Sequence, residues 1–274
     1  MAVGTSDRTP FKHDALHFHL QKVTSVLGGK FAKVPAKLPH VVIDFCAGHG
    51  DGSLIVGGRS SPEIIVPLQD KLAASVGREN VRSIFVEKNV RTAKKLRERL
   101  DAMKPQHPFE VLRMDAREFM YTPTCSRQAA FWHIDPNTIA GCPLNEGLLR
   151  CWTSGTIVLM TMGCNVGGVK RMPREERERW FEHPAKLCAV MASWHDSLLA
   201  VVCGDAHQWA YILTAPTKWA AETRKRLESL GRKHFESGLY AHLTHGVDVV
   251  SYRSDRVRWD EQLRDLFLTK KEKA

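Results

Sequence analysis

The chain has 274 residues, of which 43% are hydrophobic and 26% charged, and 40 Lys and Arg outnumber 30 Asp and Glu to give a formal charge of +10. That length supports one large domain or two small ones with a substantial core, and the composition excludes collagen-like, disordered and coiled-coil chains. No apolar run reaches the ~18 residues that span a bilayer, and the first fourteen residues lack the apolar centre of a signal peptide.

Seven cysteines are scattered singly, without a CxxC pair, which speaks against a zinc knuckle or a disulfide framework. Reduced thiols in a cytoplasm are the expectation. No metal site is expected: His13 and His17 have helical i,i+4 spacing but lack a third ligand. The positive charge favours an anionic partner, nucleic acid first, and without a spanning run no membrane partner is expected.

Residues 1–40 form a polar, basic lead-in. Leu16, Leu20, Val23 and Leu27 recur at helical spacing and predict an amphipathic helix. Strands and helices then alternate. The predicted strands are 41–45, 83–87, 110–114, 129–134 and 155–162. A helix is expected over 89–103, with Asn89 as its cap. Its apolar face carries Val90, Ala93, Leu96, Leu100 and Met103, and its basic face Arg91, Lys94, Lys95, Arg97 and Arg99. Pro62 marks another helix start, and Pro67 predicts a kink or an early stop.

Such alternation predicts a parallel sheet with right-handed crossovers. Residues 197–203 and 208–215 are apolar runs separated by a link too short for a crossover helix, so they should pair antiparallel. The expected fold is therefore α/β and Rossmann-like, with a mostly parallel sheet, an antiparallel hairpin at its end and flanking helices. Its core domain is expected over 41–215. An extension over 216–274 holds a basic helix with Arg224, Lys225, Arg232 and Lys233, and a strand at 247–253.

The chemistry concentrates where the strands end. The first runs into Asp44-Phe45-Cys46-Ala47-Gly48-His49-Gly50, where glycines let the backbone pass close beneath a ligand. No Gly-Lys-Ser/Thr follows, so the loop is not a P-loop. Gly48 and Gly50 also lack the third glycine of a dinucleotide loop. The acid at its head suits a ligand bearing an ammonium or sulfonium group. Glu87 ends the second strand, where carboxylates bind a ribose diol. Asp115-Ala116 follows the third strand, placed to accept from an adenine amine. Asp135-Pro136-Asn137 follows the fourth. Each acid taken singly reads equally as a helix cap; four in register with a glycine loop point to S-adenosylmethionine.

On these residues the chain resembles the class I S-adenosylmethionine-dependent methyltransferases, and among them the three-Cys-motif partner (TcmP) proteins. The resemblance covers about residues 12–215. It rests on the entry helix, DFCAGHG, the Gly52-Ser53 and Ser61-Pro62 pairs around an inserted segment, FVEKN, MDAREF, HIDPN and QWAYILTAPTKW. It implies cofactor contacts at Asp44, Cys46, Ala47, Gly48, Gly50, Glu87, Asp115 and Ala116, with Asp135, Pro136 and Asn137 facing the acceptor. The chain departs from the Pro-Pro-aromatic motif of base amino-methyltransferases, because Asn137 and Thr138 replace the second proline and the aromatic. A stacking ring must then come from elsewhere, Phe131, Trp132 and Trp152 being candidates. The expected activity is methylation of a nucleic-acid base, adenine N6 favoured, with phosphate contacts from Arg91, Lys94, Lys95, Arg224, Lys225, Arg232 and Lys233. The alternatives are a methyltransferase-fold binding module without catalysis and, more remote, a nicotinamide-dependent oxidoreductase.

Overall fold

The computed structural model describes residues 9–31, 39–52, 59–122, 129–135, 157–165, 197–203, 207–214 and 247–252. They fall into two compact units, one ending at Asp135 and the other beginning at Ile157.

The first unit contains α1 (Thr9–Phe31), β1 (His40–Asp44), α2 (Ser61–Val76), β2 (Val81–Val86), α3 (Val90–Met103), β3 (Phe109–Leu112), α4 (Ala116–Phe119) and β4 (Ala129–Ile134). Its strands lie side by side in the order β3-β2-β1-β4, and all three pairings are parallel. Apolar strands that are parallel need cover, and α1, α2 and α3 pack against them. Val41, Val42, Ile43, Ile84, Phe85, Val86, Phe131, Trp132 and Ile134 are fully buried. The entry helix is longer than its apolar spacing predicts. It buries Leu16, Leu20 and Val23 and packs on α2.

Pro67 neither stops nor shortens α2, which runs through it for 16 residues. Its ring sits on the exposed side, while Ile64, Ile65, Val66, Leu68 and Leu72 are buried. That burial outweighs the one backbone hydrogen bond a proline cannot donate. The helix α3 starts as its sequence predicts, with the Asn89 side chain accepting from the Thr92 N–H. Ala93, Leu96 and Leu100 are buried, but Val90 lies exposed in the first turn, outside the apolar stripe.

A largely buried polar chain ties α2 and β2 to the turn before β3. His107 Nε2 lies 2.8 Å from Ser83 Oγ on β2, and its Nδ1 lies 2.7 Å from Asp70 Oδ1 on α2. Asp70 also accepts the backbone N–H groups of Gln106 and His107. Burial lowers the His107 pKa, opposed by its hydrogen bond to Asp70.

The second unit contains β5 (Ile157–Asn165), β6 (Ser197–Cys203), β7 (His207–Thr214) and β8 (Val247–Tyr252). β7 pairs antiparallel with β5 and with β6, from Ser197 opposite Thr214 to Cys203 opposite Gln208, and β8 pairs antiparallel with β6. No helix among the described residues is long and apolar enough to cross a membrane.

Candidate functional site

In the order β3-β2-β1-β4 the chain reverses direction of assembly between β1 and β4. Open α/β sheets place their ligands outside the strands' carboxyl ends at such a reversal. The glycine loop leaves β1 at that point. Beneath it, Phe45 is buried edge-on against Phe119 of α4 and Trp132 of β4, with ring centroids 5.8 and 5.5 Å away. The loop backbone is pinned to both neighbours. Phe45 N–H donates to the His133 carbonyl at 2.9 Å and Ala47 N–H to the Val86 carbonyl at 3.2 Å.

The two glycines of the loop are needed for different reasons. Both have positive φ, +63° at Gly48 and +72° at Gly50. A Cβ on Gly50 would come within 2.9 Å of Leu96 Cδ1, so this glycine lets the loop pack against α3. A Cβ on Gly48 would meet nothing within 4 Å. Packing does not demand a bare Gly48; open space lies beside it, of the kind a ligand needs to approach the backbone. The Gly48 N–H donates to Glu87 Oε2 at 3.1 Å, while Oε1 of the same carboxylate accepts from Asn89 N–H at 2.7 Å. Glu87 is thus half-buried at the end of β2, touching the loop and the cap of α3.

Asp44 is placed differently from the expectation. Its side chain is 0% exposed and offers no surface to a ligand. Oδ2 accepts from Ser61 Oγ at 2.6 Å, and Oδ1 lies 3.0 Å from His133 Nδ1. A carboxylate only accepts, so His133 carries its proton on Nδ1. Next to Ser61, Ser60 Oγ donates to the Gly50 carbonyl at 2.9 Å, and Ser60 N–H to Glu63 Oε2 at 2.9 Å. Glu63 pairs in turn with Arg99 of α3 at 2.6 Å. The start of α2 therefore holds the loop from below.

Asp115 also departs from the expected role. Oδ1 caps the one-turn helix α4 by accepting from Arg117 N–H, and the carboxylate is paired with the Arg117 guanidinium and with Lys88 Nζ at 2.9 Å. These contacts hold its pKa well below the usual carboxylate range. The helix-cap reading applies to this acid, with two cations added. Ala116 is buried at the start of α4.

Cys46 and Asp135 are half-buried at the same strand edge. Pro136, Asn137, Trp152 and the four basic positions from Arg224 to Lys233 lie outside the described residues. Phe131 and Trp132 are fully buried in the core, which removes them as stacking rings. On α3, Arg91, Lys94 and Lys95 are all exposed. Lys94 pairs with Glu98 and Arg97 with Asp101, whereas Arg91 and Lys95 have no ion pair among the described residues.

The site therefore brings Gly48, Gly50, Glu87, Asp115 and Asp135 to one strand edge, with Asp44 just beneath. It adds Ser60, Ser61, Glu63 and His133, which the sequence reading missed. The Ser61-Pro62 pair at the start of α2 was the available signal for one of them.

The donor set can be tested against S-adenosylmethionine. A glycine with open space where a side chain would stand and a partly exposed carboxylate one strand away suit a nucleoside with a ribose diol. The residues fit at that end.

Among known proteins, no family model and no curated protein matches the chain. Solved structures do. A Legionella pneumophila protein of the DUF519 family is 11% identical over 90% of this chain and 98% of its own, with a TM-score of 0.54. Pyrococcus horikoshii TYW2 in complex with MeSAdo is 17% identical over 68% of this chain, with a TM-score of 0.37; the match spans 60% of the TYW2 chain. Precorrin-6y C5,15-methyltransferase from Geobacter metallireducens is 10% identical over 72% of this chain, with a TM-score of 0.36. At 11% identity the first likeness is one of fold. The chain has an α/β, Rossmann-like fold.

Proposed function

We propose that the chain is an S-adenosylmethionine-dependent methyltransferase acting on a nucleic-acid base, adenine N6 favoured. The observation that carries this reading is Gly48: a positive-φ glycine with open space at its Cβ position and its N–H on Glu87, at the β1/β4 reversal. The methyltransferase resemblance of DFCAGHG, FVEKN and HIDPN supports it, the closer likeness to the TcmP proteins included.

Bound S-adenosylmethionine supplies an electrophilic methyl group, so the protein's task is alignment and exclusion of water rather than covalent catalysis. Glu87 receives the ribose hydroxyls, and the Gly48–Gly50 backbone supports the nucleoside. Asp44 serves this site from beneath, through the loop. Asp135, with Pro136 and Asn137, accepts hydrogen bonds from the acceptor amine and orients its lone pair towards the methyl carbon. The exposed cations of α3, Arg91 and Lys95 first, contact phosphates, with the basic stretch from Arg224 to Lys233 extending the surface.

The test is mass spectrometry of nucleosides from DNA and RNA incubated with the protein and S-adenosylmethionine. N6-methyladenosine or its deoxy form is expected; a different methylated base corrects the acceptor, and the absence of any methylated nucleoside overturns the nucleic-acid reading.

A second reading, a binding module without catalysis, draws on Asp115. Lys88 and Arg117 already hold the carboxylate expected to receive the adenine amine of the cofactor. Transfer of radiolabelled methyl to any acceptor excludes it.

A further inference from the structure

Asp44, Ser61 and His133 come from β1, α2 and β4, and their polar atoms meet in a fully buried cluster directly under the glycine loop. All three are at least nine-tenths buried, with relative exposures of 0%, 8% and 2%. Removing Asp44 leaves both other side chains without that partner, and removing either of them leaves one buried Asp44 oxygen without its own. The cluster connects in two directions. Through Ser61 it continues to its neighbour Ser60, whose hydroxyl holds the Gly50 carbonyl of the loop. Through His133 it reaches β4, two residues before Asp135, and the His133 carbonyl also receives the Phe45 N–H. One carboxylate thus fixes the loop that borders the open space at Gly48 to the strand end that presents Asp135.

We infer that Ser61 and His133 are positioning residues that act through Asp44, setting the glycine loop in register with the end of β4 so that the cofactor and the acceptor-binding residue are held at a fixed spacing. The inference rests on the methyltransferase reading of the site. A packing role alone would require only that the cluster be filled; a positioning role requires the hydrogen bonds themselves. Conservative replacements separate the two. Ser61→Thr keeps the hydroxyl and Ser61→Ala removes it. His133→Asn offers an amide N–H near the position of Nδ1, and His133→Leu fills space without a donor.

The experiment is calorimetric titration of S-adenosylmethionine into the full-length protein and these variants, with folding checked by circular dichroism. Wild type is expected to bind. Ser61→Ala and His133→Leu are expected to lose ten-fold or more in affinity, and Ser61→Thr and His133→Asn to stay within about three-fold of wild type. The Ser61→Ala/His133→Leu double variant is expected to bind no more weakly than the worse single variant, because both act through one carboxylate. If His133→Leu fails to fold, the Ser61 pair carries the same comparison. Wild-type binding with equal affinities across the variants, or losses that simply add, overturns the inference and leaves the functional reading standing. No binding by wild type overturns the functional reading itself.

Discussion

Two buried clusters in the first unit use the same three residue types in different orders. Under the glycine loop, Asp44 is central and receives Ser61 and His133. Between α2, β2 and the turn before β3, His107 is central and bridges Ser83 and Asp70. The second has the order of a nucleophilic triad, yet Ser83 is 0% exposed and His107 2% exposed, so no substrate reaches the hydroxyl. The chemistry available to a Ser, a His and an Asp is decided by where the cluster sits. The His-centred cluster stitches α2 and β2 to the turn that leads into β3. The Asp-centred one lies at the reversal of strand order, next to the only loop for which the described residues show both positive-φ glycines and open space.

The largest expected effect distinguishes the two directly. Asp44→Ala and Asp70→Ala each strand buried partners, and each should cost about 1–3 kcal/mol in urea unfolding for every buried group left without its hydrogen bond. Asp44→Asn, which preserves shape, should weaken S-adenosylmethionine binding, while Asp70→Asn should leave binding by the folded protein unchanged. Equal effects of the two Asn variants on binding would erase the distinction.

The glycines sharpen it further. Gly50→Ala must hold a strained φ and displace Leu96, and should lose about 1–3 kcal/mol or more from the backbone strain alone. Gly48→Ala pays only the φ strain, since its Cβ meets open space. It should fold, with a smaller drop in melting temperature, and yet lose cofactor affinity because the methyl group enters the cradle. A Gly48→Ala protein that binds as wild type would contradict the cradle.

Acid pH probes the histidines of the scaffold. Burial pushes His19 and His40 down to about 3 from 6.5, with Lys22 adding repulsion at His19, and lowers His107 as well. Below 6.5 the unfolded chain binds more protons than the folded one. Stability is therefore complete above 6.5 and falls as pH drops towards 3. Each fully depressed histidine contributes a slope of about 1.4 kcal/mol per pH unit in that window. Urea midpoints measured between pH 7 and 5 should fall, and His40→Leu should flatten the profile. A flat wild-type profile would contradict the burial of these rings.

A further stability test concerns Gln69, which is 0% exposed with neither amide atom hydrogen-bonded among the described residues. Gln69→Met removes that desolvation cost at similar volume and should raise stability by about 1–3 kcal/mol in urea unfolding. The smallest effect is at the surface. Arg91→Glu and Lys95→Glu should each reduce the salt dependence of nucleic-acid affinity more than Lys94→Glu, whose lysine is already paired with Glu98.

Local patterns made much of the first unit legible. Asn89 as a cap, Pro62 at a helix start, the apolar strands and the glycine loop are all signals carried by a few adjacent residues. The strand-edge location of Glu87, Asp115 and Asp135 follows from the alternation of elements. The direction in which each acid points does not. Asp44 at a strand end reads the same whether it meets a ligand or lies buried, and its partners are 17 and 89 residues away. Asp115 reads as a ligand contact until Lys88, 27 residues back, and Arg117 are seen to hold it. The basic face of α3 likewise counts five cations in sequence; Glu63, 36 residues from Arg99, neutralises one of them in space.

The central claim is that the edge formed by Gly48 and Glu87 holds the nucleoside of S-adenosylmethionine. Its most direct measurement is a titration of that compound into wild type and Glu87→Gln, followed by the amide signals of Gly48 and Gly50 in a heteronuclear NMR spectrum. Saturable shifts are expected at both glycines in wild type, with at least ten-fold weaker saturation in Glu87→Gln. Glycine signals that stay still in wild type, or saturate equally in both proteins, would contradict it.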